Sequence, residues 1–438
     1  MKNALSFAVA LGLVAGMATS AVAADLVLKG DARLRGYYKQ NADLRYETPA
    51  TAGTTLPFWV PTSVWSNEPS DSLADRQQKL DQRYRLNADV IVNDAVKVNT
   101  RIVLADNEFG NENSLNPYVD RANMVPYALG GTITLGKQEA SWGNKFLGWG
   151  SNVDRIKYVT KAGGMTVGGY LQKSKEGDTN MGDGDVDTWG GLVVGKAGDT
   201  KWGILANYIY DDSRRAAVAA GTTYTDADGT VWTNVAGTAA KGESDTGYLV
   251  DVFMNTKAGP ANIMAEFVMK GGDAADNPAG DDYYGGFVGA SMNMDAITIK
   301  GLVAYYDGNM GQTGARDCDN DFAPTYLIGT CNETAVIDFG GTTQSTNDTT
   351  YLVAVGADMK INDKLSVSAG LAYLMATEEA NPTGVPGVFA DGTVTEIDLG
   401  LKYALAQNVT YSLSAALGMP SDLVDTVTVP GTTEDDIF

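Results

Sequence analysis

Between Asp25 and Leu104 apolar and polar residues alternate by parity through three successive segments. In Asp25 to Lys39 the even positions Leu26, Leu28, Ala32, Leu34 and Tyr38, with Gly30 and Gly36, form one face, and Lys29, Asp31, Arg33, Arg35 and Lys39 fall on the other. Leu80 to Val92 repeats the scheme: Leu80, Tyr84, Leu86, Ala88, Val90 and Val92, with Gln82 as the exception, oppose Asp81, Arg83, Arg85, Asn87 and Asp89. After Asn93-Asp94-Ala95, Val96, Val98, Thr100, Ile102 and Leu104 alternate with Lys97, Asn99 and Arg101. A period of two predicts strands, the second and third joined by a tight turn. Each is about 10 residues or longer, the length a tilted strand needs to cross a bilayer.

Later segments keep the pattern. Ile263, Ala265, Phe267 and Met269 oppose Asn262, Glu266 and Lys270; Ile397, Leu399, Leu401 and Tyr403 oppose Glu396, Asp398 and Lys402. The polar face is expected to be polar throughout and to line a wet lumen. Short turns are expected near 93–95, 129–131, 162–164, 197–200, 257–260, 294–295, 361–363 and 405–407, separated by long polar connections such as 41–78, 174–187, 211–244, 308–347 and 377–392. A soluble sandwich has no reason to segregate connection lengths in this way, whereas outer-membrane barrels do. The fold class expected is all-β, a transmembrane antiparallel β-barrel of about 16 to 18 strands, with 18 preferred from the turn count and Thr432 to Phe438 as the weakest strand. A barrel this wide leaves an aqueous channel. Tyr38, Tyr208, Tyr210, Tyr283, Tyr284, Tyr305 and Tyr306 sit near strand ends, where interfacial aromatic girdles belong.

Residues 1–23 read as a signal peptide, with Lys2, an apolar run and an Ala21-Val22-Ala23 cleavage site, leaving 24–438 as one barrel domain. No later segment offers about 18 consecutive apolar residues for a transmembrane helix. The formal charge of −22, from 32 Lys+Arg against 54 Asp+Glu, argues against a nucleic-acid partner and favours cations at a pore mouth. Histidine is absent, which excludes a Ser-His triad, His-ligated zinc and His general-base chemistry and makes an enzyme improbable. Cys318 and Cys331, 13 residues apart in a Gly/Asp/Asn/Thr-rich segment, are expected to pair in an oxidising compartment. Asp183, Asp185 and Asp187, and Asp317, Asp319 and Asp321, have the spacing that opens a calcium loop but lack its later Gly and Glu. They are read as solvated loop acids, so neither a metal nor a cofactor is expected.

With these residues assembled, the chain resembles the porins of Gram-negative outer membranes over its mature length. The resemblance is carried by Asp31-Ala32-Arg33-Leu34-Arg35, Asp81-Gln82-Arg83-Tyr84-Arg85-Leu86, Ile133-Thr134-Leu135-Gly136-Lys137-Gln138 and the terminal Phe438. It departs at Glu434-Asp435-Asp436-Ile437, where porins have an alternating aromatic strand. The resemblance implies a passive channel in the outer membrane, a homotrimer in contact with lipid and lipopolysaccharide. It also implies a third external loop folded inward, here Glu139 to Asn152, with Trp142, Asn144, Lys145, Phe146 and Trp149 among Gly143, Gly148 and Gly150. The alternative for that loop is a surface position on the rim.

Arg33, Arg35, Arg83, Arg85 and Arg101, with Arg121 on the next strand, share the polar face and are expected to form a ladder on one side of the lumen. Asp31, Asp81 and Asp89 lie in the same phase, while Glu266, Glu396 and Asp398 face the lumen from distant strands. The functional expectation is a cation-preferring channel for small hydrophilic solutes and ions. The alternatives are a substrate-selective channel, a structural or adhesive barrel with a plugged lumen, and a sheath around a separate cytochrome.

Overall fold

The computed structural model describes residues 25–40, 76–109, 117–146, 152–175, 185–212, 222–225, 231–234, 245–272, 282–307, 325, 328–329, 337–338, 349–377 and 392–421. The expected signal peptide, Trp149, Cys318, Cys331, Asp183, the 317–321 acids and the expected last strand lie outside them.

The strands are β1 (Asp25–Gln40), β2 (Arg76–Asn93), β3 (Val96–Glu108), β4 (Tyr118–Ala128), β5 (Gly131–Glu139), β6 (Asn152–Ala162), β7 (Met165–Lys175), β8 (Val186–Ala197) and β9 (Thr200–Asp211). After a short ribbon of β10 (Thr222–Thr225) and β11 (Val231–Asn234) come β12 (Asp245–Ala258), β13 (Ala261–Gly272), β14 (Tyr283–Met294) and β15 (Ile297–Tyr306). A second ribbon, β16 (Ile328–Gly329) and β17 (Ile337–Asp338), precedes β18 (Thr349–Lys360), β19 (Leu365–Thr377), β20 (Thr393–Ala406) and β21 (Val409–Ser421). Apart from the ribbons, the described strands form one sheet of 17, each antiparallel to its chain neighbour. This is the all-β, outer-membrane-barrel architecture that the alternation predicts. All eight expected short turns fall within two residues of the observed ones, and β1 and β21 both run from the short-turn end toward the long-connection end.

The outward face is apolar because period-two alternation places Leu399, Leu413, Leu417, Val353, Val355 and Phe267 on one side of the sheet, all exposed. Tyr38, Tyr208, Tyr284 and Tyr351 ring it near the long connections, with Tyr305 and Tyr351 5.2 Å apart, and Tyr127, Tyr403 and Tyr411 ring it near the turns. This is the two-girdle pattern of a lipid-facing surface. Tyr283 and Tyr306 depart from the expectation: they point inward and are buried. Leu399, in the middle of β20, is 59% exposed. Leu399→Arg is expected to lower folding stability in lipid by about 2–4 kcal/mol, measured by denaturant titration in vesicles.

The inner face departs from the expected uniform polarity. On the long-connection half of β9 to β20, Leu205, Leu249, Val268, Phe287, Leu352, Leu374 and Val394 face inward and are buried in one cluster. A side chain on the inner wall of a wide barrel is buried only when something within the lumen covers it. The wall of β1 to β6 keeps its charges.

Candidate functional site: a basic wall facing an inward loop

On the charged wall, alternation puts arginines of neighbouring strands side by side roughly 4.8 Å apart. Arg33 lies directly opposite Arg83 in the β1–β2 register. Asp81 accepts from Arg35 at 2.7 and 2.9 Å and lies 3.5 Å from Arg33; Asp31 accepts from Arg85 at 3.0 Å and lies 3.9 Å from Arg83. A bulge in β4 brings Asp120 onto Arg101, whose Nε donates to both carboxylate oxygens at 2.7 and 2.9 Å. Arg121 donates to Glu139 at 2.5 Å and to Asn152 at 2.6 Å, tying the two ends of the inward loop to the wall.

The structure therefore brings all six predicted arginines together, with the acids interleaved among them. The ladder continues beyond the prediction into β6. Arg155 is buried, lies 3.9 Å over the Tyr170 ring and donates to Gln172, while Tyr170 donates to Asn207. Lys157 follows in the same phase. Arg155 was missed because its segment, Val153 to Tyr158, mixes polar and apolar residues on both faces.

After β5 the chain leaves the wall and crosses to β12–β14. Gly143 (φ 54°) and Lys145 (φ 69°) both take left-handed conformations, which turn the segment sharply. A Cβ on Gly143 would lie 2.5 Å from a Glu266 carboxylate oxygen, so only glycine fits this approach. The backbone N–H groups of Asn144 and Phe146 both donate to Glu266, the latter at 3.2 Å. The Asn144 side chain donates to the Ala265 carbonyl at 3.0 Å, and the Trp142 indole donates to Asp251 at 2.9 Å. Phe146 is fully buried between Phe287 and Tyr306, 5.5 and 5.9 Å away, and Trp142 meets Phe253 edge-on at 5.3 Å. The segment from Trp142 to Phe146 thus lies against the inner wall rather than on the rim.

A second long connection also reaches inward. Thr325, between β15 and β16, is buried and donates to Glu396 of β20 at 2.7 Å. Glu266, Glu396 and Asp398 all occupy the inner phase, and each is buried. The first two serve as acceptors for inward segments instead of facing open water. Sequence reasoning missed Asp251, although an isolated acid between the inward Leu249 and Phe253 is the signal that marks such a post. Asp185 and Asp187 both pair with Lys173, the second at 3.7 Å, as ordinary rim ion pairs.

No protein-family model matches the chain, and no curated protein matches it. Among solved structures, it is similar to the Pseudomonas aeruginosa channel OccD3 (OpdP), with 9% identity over 92% of this chain and 88% of that one and a TM-score of 0.51. It is also similar to the anion-selective porin of Comamonas acidovorans (12% identity, 89% and 100% covered, TM-score 0.47). A third similar structure is OmpT, an outer membrane protein of Vibrio cholerae (13% identity, 87% and 96% covered, TM-score 0.45). At these identities the likeness concerns the fold alone, that of an outer-membrane β-barrel.

Proposed function

We propose that the protein is an outer-membrane porin, a water-filled channel for passive diffusion of small hydrophilic solutes and ions, without enzymatic activity. The observation that carries this reading is the arginine wall of β1 to β6, charged and inward-facing, opposite a loop seated within the barrel on Glu266. A wall of fixed cations beside a narrowed wet passage orients dipolar solutes and needs no moving part. The apolar belt and its two aromatic girdles support placement in the outer membrane, and assembly as a homotrimer in contact with lipopolysaccharide belongs to the same reading.

Two sets of charges set the ion preference. The net charge of −22 favours cations at the external mouth, whereas the inner wall is basic. Acids at the mouth act over about 30 Å at 0.01 M salt but only about 3 Å at 1 M. The expected result is cation preference at low salt that drifts toward anions as salt rises. Single-channel recording of purified protein in planar bilayers, with reversal potentials under KCl gradients, checks both points. Steady open steps are expected; silence from folded protein would overturn the channel reading in favour of a plugged, structural barrel.

A further inference from the structure

The strongest unassigned feature lies at the opposite end of the lumen from the loops. Lys161, Lys196, Lys201 and Lys257 come from β6, β8, β9 and β12, each within four residues of a short turn. Their register puts all four in the inward phase, and together with Asn262 they line a recess of about 500 Å³. One acid, Asp199, shares the lining. None of the four lysines forms a salt bridge to a described residue. Lys161 donates to the Thr166 hydroxyl at 2.6 Å, and Lys201 lies 5.6 Å from the Phe253 ring.

Lys196 and Lys201 stand directly opposite each other across the β8–β9 pair. Like charges at opposed positions destabilise a sheet, and this chain has an excess of acids from which to neutralise them. Two other inward-phase lysines near the turns show the ordinary solution, Lys300 with Asp358 at 3.1 Å and Lys360 with Asp363 at 2.9 Å. Lysines from four strands converging on one recess without a described carboxylate partner form a site for an anion carrying more than one charge.

We propose that this recess binds small multivalent oxyanions, phosphate or polycarboxylate groups, at the periplasmic mouth of the channel. The proposal rests on the porin reading for its placement in a conducting path. Electrostatic capture raises the local concentration of such anions, and salt weakens it.

The test uses the full-length protein and inorganic phosphate as probe. Calorimetric titration in detergent reports binding without requiring conduction, and phosphate added to either side of a planar bilayer reports block. Phosphate is expected to bind the unaltered protein, more weakly at higher salt, and to block at lower concentration from the short-turn side. In the variant combining Lys161→Gln, Lys196→Gln, Lys201→Gln and Lys257→Gln the half-blocking concentration is expected to rise about tenfold, equivalent to roughly 1.4 kcal/mol. Lys364→Gln, a turn lysine outside the recess, tests whether loss of any lysine at that end suffices and is expected to leave binding unchanged. Absence of phosphate binding to the unaltered protein, or equal binding to the quadruple variant, would overturn the proposal. Binding that is lost in the quadruple variant from a protein that never conducts would leave the site standing and remove the channel reading instead.

Discussion

Glu266→Ala is expected to release the inward loop and raise open-channel conductance, with added flicker. Two backbone donors, from Asn144 and Phe146, converge on this one carboxylate. An ordinary intramolecular hydrogen bond contributes about 0.5–1.5 kcal/mol, so the seat loses roughly 1–3 kcal/mol, enough to shift the segment's equilibrium between docked and loosened positions. The Asn144 side chain still reaches the Ala265 carbonyl and Phe146 keeps its apolar pocket, so the segment stays near the wall while no longer being fixed to it. Glu266→Gln keeps an acceptor oxygen and is expected to fall between the two. An unchanged conductance in Glu266→Ala would mean that the segment from Trp142 to Phe146 does not limit the current.

The second large effect is on stability. Arg101 and Asp120 are both buried, and the guanidinium Nε contacts both carboxylate oxygens. Arg101→Ala leaves a carboxylate without its cation and is expected to cost about 3–5 kcal/mol in denaturant titration. The double variant Arg101→Met with Asp120→Leu is expected to recover most of that loss, because removing both charges removes the desolvation penalty as well. If the double variant is as unstable as the single one, packing around the guanidinium stem, and not the charge, holds this part of the wall. Conductance recorded on the double variant then separates the pair's structural role from any effect on permeation.

The alternation of Asp25 to Leu104 suffices to place β1 to β3, their shared polar face and the arginines on it, because a strand that crosses a bilayer must put one parity toward lipid. Turns were legible for the same reason: each is a brief polar interruption between two alternating runs. What escaped was the inner wall of β9 to β20. In Tyr351-Leu352-Val353-Ala354-Val355 both parities are apolar, and a one-sided reading assigns the run to lipid without asking what the inward Leu352 and Ala354 touch. A two-sided apolar run is the mark of a strand covered on both faces. Its covering partners lie far away in sequence, as Thr325 does from Glu396, and no local pattern encodes a contact across 71 residues. A longer separation, 122 and 120 residues, hid the role of Glu266, which the alternation could place in the lumen but not beneath Asn144 and Phe146.

The described sheet has 17 strands, and β1 and β21 point the same way. Its internal pairings join strands that follow one another along the chain, apart from the two inserted ribbons, so each is a short-range event that can zip onto the one before. The seam is different in kind, since it must be made across the full span of the chain and pays the largest loop-closure entropy. Until it forms, two rows of backbone N–H and C=O groups are unsatisfied, at several kcal/mol for each group placed in hydrocarbon. Seam formation and entry into the membrane are therefore one cooperative step: an open intermediate is confined to the aqueous side, where its free edges invite pairing with other chains.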